Sequence, residues 1–126
     1  MADVVSTKYC FYSEVPVPEH LEKMLIRNET PQFAVKTIRD VAIFTDKRIF
    51  IADKQGITGK KIEYCSIPYK SIIAYSVETA GTFDLDSEIK LTLSGGIKVE
   101  LQFLKDKKMS ELLFKVYYTI TEYVLS

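Results

Sequence analysis

Five cations crowd into one stretch of this chain: Lys47, Arg48, Lys54, Lys60 and Lys61. With Asp53 counted, the segment 47–61 nets +4, and the segment 78–88, with Glu78, Asp84, Asp86 and Glu88, nets −4. No Lys or Arg lies between Ser71 and Ile89. A loop of lysines suits phosphate or another anion, and it equally suits an acidic surface on a partner. A solvated surface accounts for either cluster alone; their equal and opposite totals favour a mutual contact. Ile57 and Phe83, apolar residues inside the two clusters, would supply binding energy that exposed charges do not.

Other chemistries fit the residues less well. Gly56-Ile57-Thr58-Gly59-Lys60-Lys61 is shorter than a Walker loop, puts Lys61 where the magnesium-binding hydroxyl belongs, and precedes a strand rather than a helix. The run Asp84, Asp86, Glu88 resembles the start of a calcium loop. Leu85 and Ile89 alternate with the acids as in a strand, and a preceding helix and sixth-position glycine are missing. The carboxylates are thus expected as a row on one strand face, either solvated or docking a partner. His20 is the single histidine and has no cysteine or paired acids near it in sequence, which defines no catalytic triad or dyad. Cys10 and Cys65 stand far apart, without a Cys-x-x-Cys pair or a histidine cluster. The expectation is therefore no catalytic residue, no metal and no cofactor, with Cys65 a small apolar residue inside a strand.

Composition narrows the classes further. At 126 residues the chain forms one domain, 1–126, that buries roughly two-thirds of the surface its unfolded form exposes. Lys plus Arg and Asp plus Glu both total 17, so no global field draws nucleic acid. Uninterrupted apolar runs such as 41–44 and 49–52 are far below the about 20 residues of a membrane span. The first residues lack the charged start and apolar block of a signal peptide, and a cytoplasmic location is expected.

The elements that must carry these residues follow from periodicity. Residues 1–14 show no clear period and read as an N-terminal extension. Pro18 suits the first position of a helix over 18–28, with Leu21, Met24 and Leu25 as its apolar stripe. From 32 to 103 the period is two, giving about seven antiparallel strands. Around Asp46-Lys47 both strand faces are apolar: Ala42, Phe44, Ile49 and Ile51 on one, Val41, Ile43 and Phe50 on the other, so both are covered. Farther on, Leu85, Ile89, Leu91 and Leu93 alternate with polar residues, as do Ile97, Val99, Leu101 and Phe103. A two-residue Gly95-Gly96 turn would set Leu93 against Lys98 on the core face. The loop Ser94-Gly95-Gly96 instead pairs Leu93 with Ile97 and Leu91 with Val99. Gly96 is expected at positive φ, and Gly96→Val to destabilise more than Gly95→Val. Over 107–125, Met109, Leu112, Leu113, Val116, Tyr117, Ile120 and Val124 recur at helical spacing, with Lys108, Glu111, Lys115 and Glu122 outward. A meander followed by one amphipathic helix predicts a bent sheet or partial barrel with the helix closing it.

In this frame the chain resembles the bacterial pleckstrin-homology-like domains. The resemblance rests on five phrases in order: Arg39-Asp40; Phe44-Thr45-Asp46-Lys47-Arg48; the run 53–61; Ser66-Ile67-Pro68-Tyr69; and the run 78–86. It implies an α+β, mainly β fold: a seven-stranded antiparallel bent sheet, capped by the C-terminal helix. It further implies no catalytic machinery and self-association into homo-oligomers. Eukaryotic relatives often bind inositol phosphates through cations between their first two strands; here that connection, near Lys36-Thr37-Ile38-Arg39, is short and holds two cations. The expected function is a non-enzymatic binding or scaffold module forming a cyclic homo-oligomer of more than two copies, head to tail. The alternative is peripheral binding of an anionic or phosphorylated lipid, or another anion, through the basic loop.

Overall fold

The computed structural model describes residues 6–79, 87–104 and 107–126, without the side chains of Ser6 and Lys107. Among the described residues nine strands form two sheets, with a short helix between the second and third strands and a long one after the last. In chain order they are β1 (Ser6–Phe11), β2 (Ser13–Val15), α1 (Glu19–Glu22), β3 (Pro31–Lys36), β4 (Val41–Thr45), β5 (Arg48–Gln55), β6 (Lys61–Pro68), a 3-10 turn (Tyr69–Ser71), β7 (Ile72–Glu78), β8 (Ser87–Leu93), β9 (Lys98–Phe103) and α2 (Lys107–Val124). One sheet has the order β1-β9-β8-β7 and the other β2-β3-β4-β5-β6.

The expected class holds, and β3 to β9 are the seven strands foreseen over 32–103. The N-terminal extension is different from its expectation. Residues 6–11 pair with β9 in parallel and residues 13–15 pair with β3 antiparallel, so the segment joins both sheets. Tyr9 and Phe11 point into the core while Lys8 and Cys10 face out or partly out. That alternation is period two, cut short at Tyr12 where the chain changes sheets.

The helix expected over 18–28 is a single turn. Pro18 is its N-cap, with extended ψ of 131°, rather than its first helical residue. Only Leu21 of the expected stripe is fully buried; Leu25 is half-buried and Met24 is exposed. The chain leaves the helix early because residues 23–30 must return Glu29 to the sheet, where its carboxylate accepts the Ile26 N–H at 3.2 Å and meets Arg48.

Both faces of the β4–β5 hairpin are covered, as the pattern requires. Ala42, Phe44, Ile49 and Ile51 join the main core with both sheets and α2. Ile43 and Phe50 form a second cluster with Leu21 and Ala34, against which Val41 packs. The main core is closed by α2, whose Met109, Leu112, Leu113, Val116 and Ile120 are all buried. Losing the Leu113 side chain would remove transfer energy and leave a cavity, costing about 2–5 kcal/mol. Tyr69 fixes the corner between the sheets: its hydroxyl donates to the Thr45 carbonyl at 2.8 Å, and its ring stacks on Tyr123 of α2 at 5.3 Å.

The β8–β9 hairpin has the three-residue connection. Leu91 pairs with Val99, and the Leu93 N–H donates to the Ile97 carbonyl at 2.8 Å. Gly96 has φ of 83°, but Gly95 has φ of 87° as well. Both positions are left-handed, so the expected difference between valine at the two sites gives way to similar losses.

Candidate functional site

The five cations do not form one cluster. Strand β5 is extended from Arg48 to Gln55, which separates its two ends by about 23 Å at 3.3 Å per residue. Lys47 and Arg48 lie at one end. Lys54, Lys60 and Lys61 lie at the other, around the tip of the β5–β6 hairpin.

Arg48 is turned inward and structural. Its Nε and Nη2 donate to Glu29 Oε2 and Oε1 at 2.8 and 3.0 Å, a bidentate pair. Its Nη1 donates to Ser66 Oγ at 2.7 Å, and the guanidinium lies 4.5 Å over the Phe50 ring. Glu29 is the buried partner, its side chain 1% exposed, and the Thr45 hydroxyl donates to it at 2.7 Å. Burial alone would push the Glu29 carboxyl up, but hydrogen bonds from Arg48, Thr45 and the Ile26 N–H, with the Arg48 charge, hold it below the usual glutamate range. Lys47 is exposed in the connection beside this lock.

The hairpin tip is held from below. Arg39, between β3 and β4, donates its guanidinium to the Gly56 carbonyl, and Asp40 Oδ1 accepts the Lys54 N–H at 2.8 Å. Gly56 and Gly59 have φ of 70° and 67°, the left-handed turn that a β-branched residue would resist. Above this base Lys54, Lys60 and Lys61 are exposed, and Ile57 is wholly so at 103% of its reference area. Arg39 and Asp40, missing from the charge-based selection, are what shape the tip. Their signal was their place between two strand patterns, and their targets lie 17 and 14 residues away.

On the inner face below the tip, Asp53 of β5 stands opposite Glu63 of β6. Burial pushes the Asp53 carboxyl up, and the nearby Asp40 and Glu63 charges raise it further. Cys65 is half-buried and packs against the core; burial, then Glu63 and Asp53, push its thiol up, away from the reactive thiolate. Tyr9 is buried beside the same acids, and its phenol is likewise pushed up by burial first.

On the acidic side, Glu78 ends β7 directly opposite Glu88 of β8. Glu78 pairs with Lys90 at 3.5 Å. Burial and the Glu100 charge push the Glu88 carboxyl up, against the pull of Lys90 and Lys8. Phe83, Asp84 and Asp86 lie outside the described residues. The outer face of this sheet is polar, with Lys8 paired to Glu100 at 3.4 Å and Lys98 donating to Thr92 at 2.9 Å. Among the described residues no group of three or more His, Cys, Asp or Glu is placed to hold a metal, and no helix is long and apolar enough to cross a membrane. His20 is exposed on α1.

Two sheets closed by a C-terminal helix, with charged hairpin ends and a free polar face, define a pleckstrin-homology-like module. The chain belongs to the bacterial PH domain family, whose model matches residues 4–124. It is similar to the Bacillus subtilis (strain 168) protein "Uncharacterized protein YjqA", with 51% identity over 102 residues, 79% of this chain and 82% of that one. Its similarity to "Uncharacterized protein YozO" of the same organism is 34% over 92 residues, 73% and 79% of the two chains. Among solved structures it resembles a DUF1696 family protein with a pleckstrin-homology domain from Shewanella loihica PV-4. That match has 40% identity, a TM-score of 0.76, and covers 89% of this chain and 96% of the other. A pleckstrin homology domain from Shewanella amazonensis SB2B matches at 39% identity and TM-score 0.66, covering 89% and 93%. Neither the family nor these relatives indicates an enzyme class.

Proposed function

We propose that this chain is a non-enzymatic scaffold module of the cytoplasm that self-associates head to tail into a closed homo-oligomer of more than two copies. One observation carries the reading: a fully exposed Ile57 at the tip of a braced hairpin, collared by Lys54, Lys60 and Lys61. An isoleucine held in water at the end of a positive projection suits a surface with an apolar seat and an acidic rim. Glu78 and Glu88 stand on a different sheet from the tip, so the two surfaces are not the same patch. Contacts between unlike patches close into rings or grow into filaments. Reversing Lys60 and Lys61 to Glu should lower the mass seen by sedimentation, and adding Glu78→Lys should recover part of it. Unchanged mass in the Lys60→Glu, Lys61→Glu chain would reject the tip as the contact.

A second reading is anion binding at the same end, favoured by Arg39 joining Lys54, Lys60 and Lys61 there. Co-sedimentation with vesicles containing phosphorylated lipid, abolished by Lys60→Glu and Lys61→Glu while the mass stays unchanged, would support it over self-association.

A further inference from the structure

The loop that joins α1 to β3 turns two apolar side chains to the outside. Met24 is 43% exposed and Ile26 57%, while Leu25 between them packs against the second core cluster. The buried ion pair holds them there. Arg48 Nη2 donates to the Met24 carbonyl at 3.4 Å, and Glu29 Oε1 accepts the Ile26 N–H at 3.2 Å. The Glu29 N–H closes the turn on the Ile26 carbonyl at 3.1 Å. Each charge of the lock thus grips the backbone of one projecting residue, with Leu25 as the pin between them. Cations bracket the pair: Lys23 and Arg27 are exposed, and no acid lies between Glu22 and Glu29, whose own charge is directed inward at Arg48.

The neighbouring turns add charge of the same sign. The Thr30 N–H donates to Asp46 Oδ1 at 2.9 Å and the Asp46 N–H donates to the Thr30 carbonyl at 3.1 Å, which sets the β4–β5 turn beside the loop. The Tyr69 N–H donates to the Lys47 carbonyl at 3.2 Å and brings the 3-10 turn to the same end. Lys47 and Lys70, both exposed, therefore stand at this end of the molecule with Lys23 and Arg27. Lys54, Lys60 and Lys61 are at the other end of β5.

We propose that this loop is a membrane anchor: Met24 and Ile26 enter the headgroup region of a bilayer rich in anionic phospholipid, and the four cations around them meet its phosphates. Shape favours a bilayer over a folded partner. Two side chains projecting from a tight turn need a fitted hollow in a protein, whereas a lipid interface takes them without one. Lysine and arginine lay their stems along apolar surface and keep their heads at the level of the phosphates. Buried apolar area together with attraction to anionic lipid is what holds a surface-bound segment. Charge selects the lipid, since each cation near an anionic surface raises affinity about fivefold and gains nothing comparable from a zwitterionic one. The lock has a use in this account. A slack loop would fold its apolar side chains back against the protein; one pinned by Arg48 and Glu29 presents them already ordered, which lowers the cost of docking. The site lies at the end remote from the basic tip, so it is distinct from the anion site considered above.

The sequence contains no tryptophan, so a single introduced one reports its own surroundings. Ile26→Trp in the full chain, mixed with phosphatidylglycerol vesicles, should shift its emission to the blue and be quenched by brominated acyl chains. Phosphatidylcholine vesicles should leave it unchanged. On the anionic vesicles Ile57→Trp, at the tip, should keep the emission of an indole in water. Lys23→Gln with Arg27→Gln should weaken co-sedimentation with those vesicles about 30-fold while the melting temperature holds. Should Ile26→Trp lose the wild-type melting transition, Met24→Trp replaces it as the reporter. No shift on anionic vesicles would overturn the anchor and leave the exposed pair to a protein partner. An equal shift on phosphatidylcholine would overturn the part given to charge. A shift at Ile57→Trp, with or without one at Ile26→Trp, would overturn the loop as the specific site.

Discussion

At the start of β5, Arg48 is clamped by a buried glutamate, capped by Phe50 and tied to Ser66; at its end, Lys54 and the neighbouring Lys60 and Lys61 are bare. The same charge serves two purposes along one strand. What separates them is the partner: an arginine fork fits the fixed carboxylate of Glu29, whereas flexible lysines on a hairpin tip keep their hydration. A run of cations in sequence is therefore not a patch: Arg48 is held by a buried acid, and the lysine side chains at the other end of the strand stay exposed.

The contrast can be broken most forcefully at Glu29. Glu29→Ala strips Arg48 of its buried partner and should cost about 3 kcal/mol, the low end for such pairs because Arg48 keeps Ser66 and some water. Chemical denaturation at pH 7 measures it. Because the folded pKa of Glu29 is depressed, its contribution is fully present above the ordinary glutamate pKa of about 4.3 and fades as pH falls through the folded value. The gap between wild type and Glu29→Gln should accordingly narrow in acid.

At the other end, Gly59→Ala should cost about 1–2 kcal/mol, since the residue is left-handed at φ 67° and a Cβ would stand 3.3 Å from Arg39 Nη2. Thermal melts of Gly59→Ala and Gly56→Ala compare the two strains, and only the first also presses on Arg39. Beneath the tip, the raised pKa of Asp53 means its ionised form disfavours the folded state at neutral pH, a penalty that vanishes as pH falls through that raised value. Asp53→Asn should then stabilise the protein at pH 7, by no more than about 0.5 kcal/mol after solvent screening, and lose the advantage in acid. The smallest effect is expected from Lys60→Glu with Lys61→Glu, within about 0.5 kcal/mol in stability, while the proposed association should weaken. A large loss of stability there would erase the distinction between the clamped end and the free one.

Much of this architecture was legible from residue order. Leu91 and Val99 share parity across Ser94-Gly95-Gly96, which allowed a single register, and the two apolar faces of 41–51 required cover on both sides. The stripe on α2 was equally plain. Three things were not. The strand at 6–11 is short and pairs in parallel with β9, some 90 residues away, and nothing local announces a distant partner. Glu29 meets Arg48 across 19 residues, through a loop whose own sequence favoured more helix. The division of the basic segment followed from strand extension: the residues from Arg48 to Lys54 look adjacent in a list of charges, yet they span nearly the length of a strand.

The mass of the native particle at two salt concentrations tests the central claim most directly. Sedimentation equilibrium of the full chain should give more than two copies at low salt and a lighter average at high salt, because exposed charges are screened. A monomer at high protein concentration and low salt would contradict it.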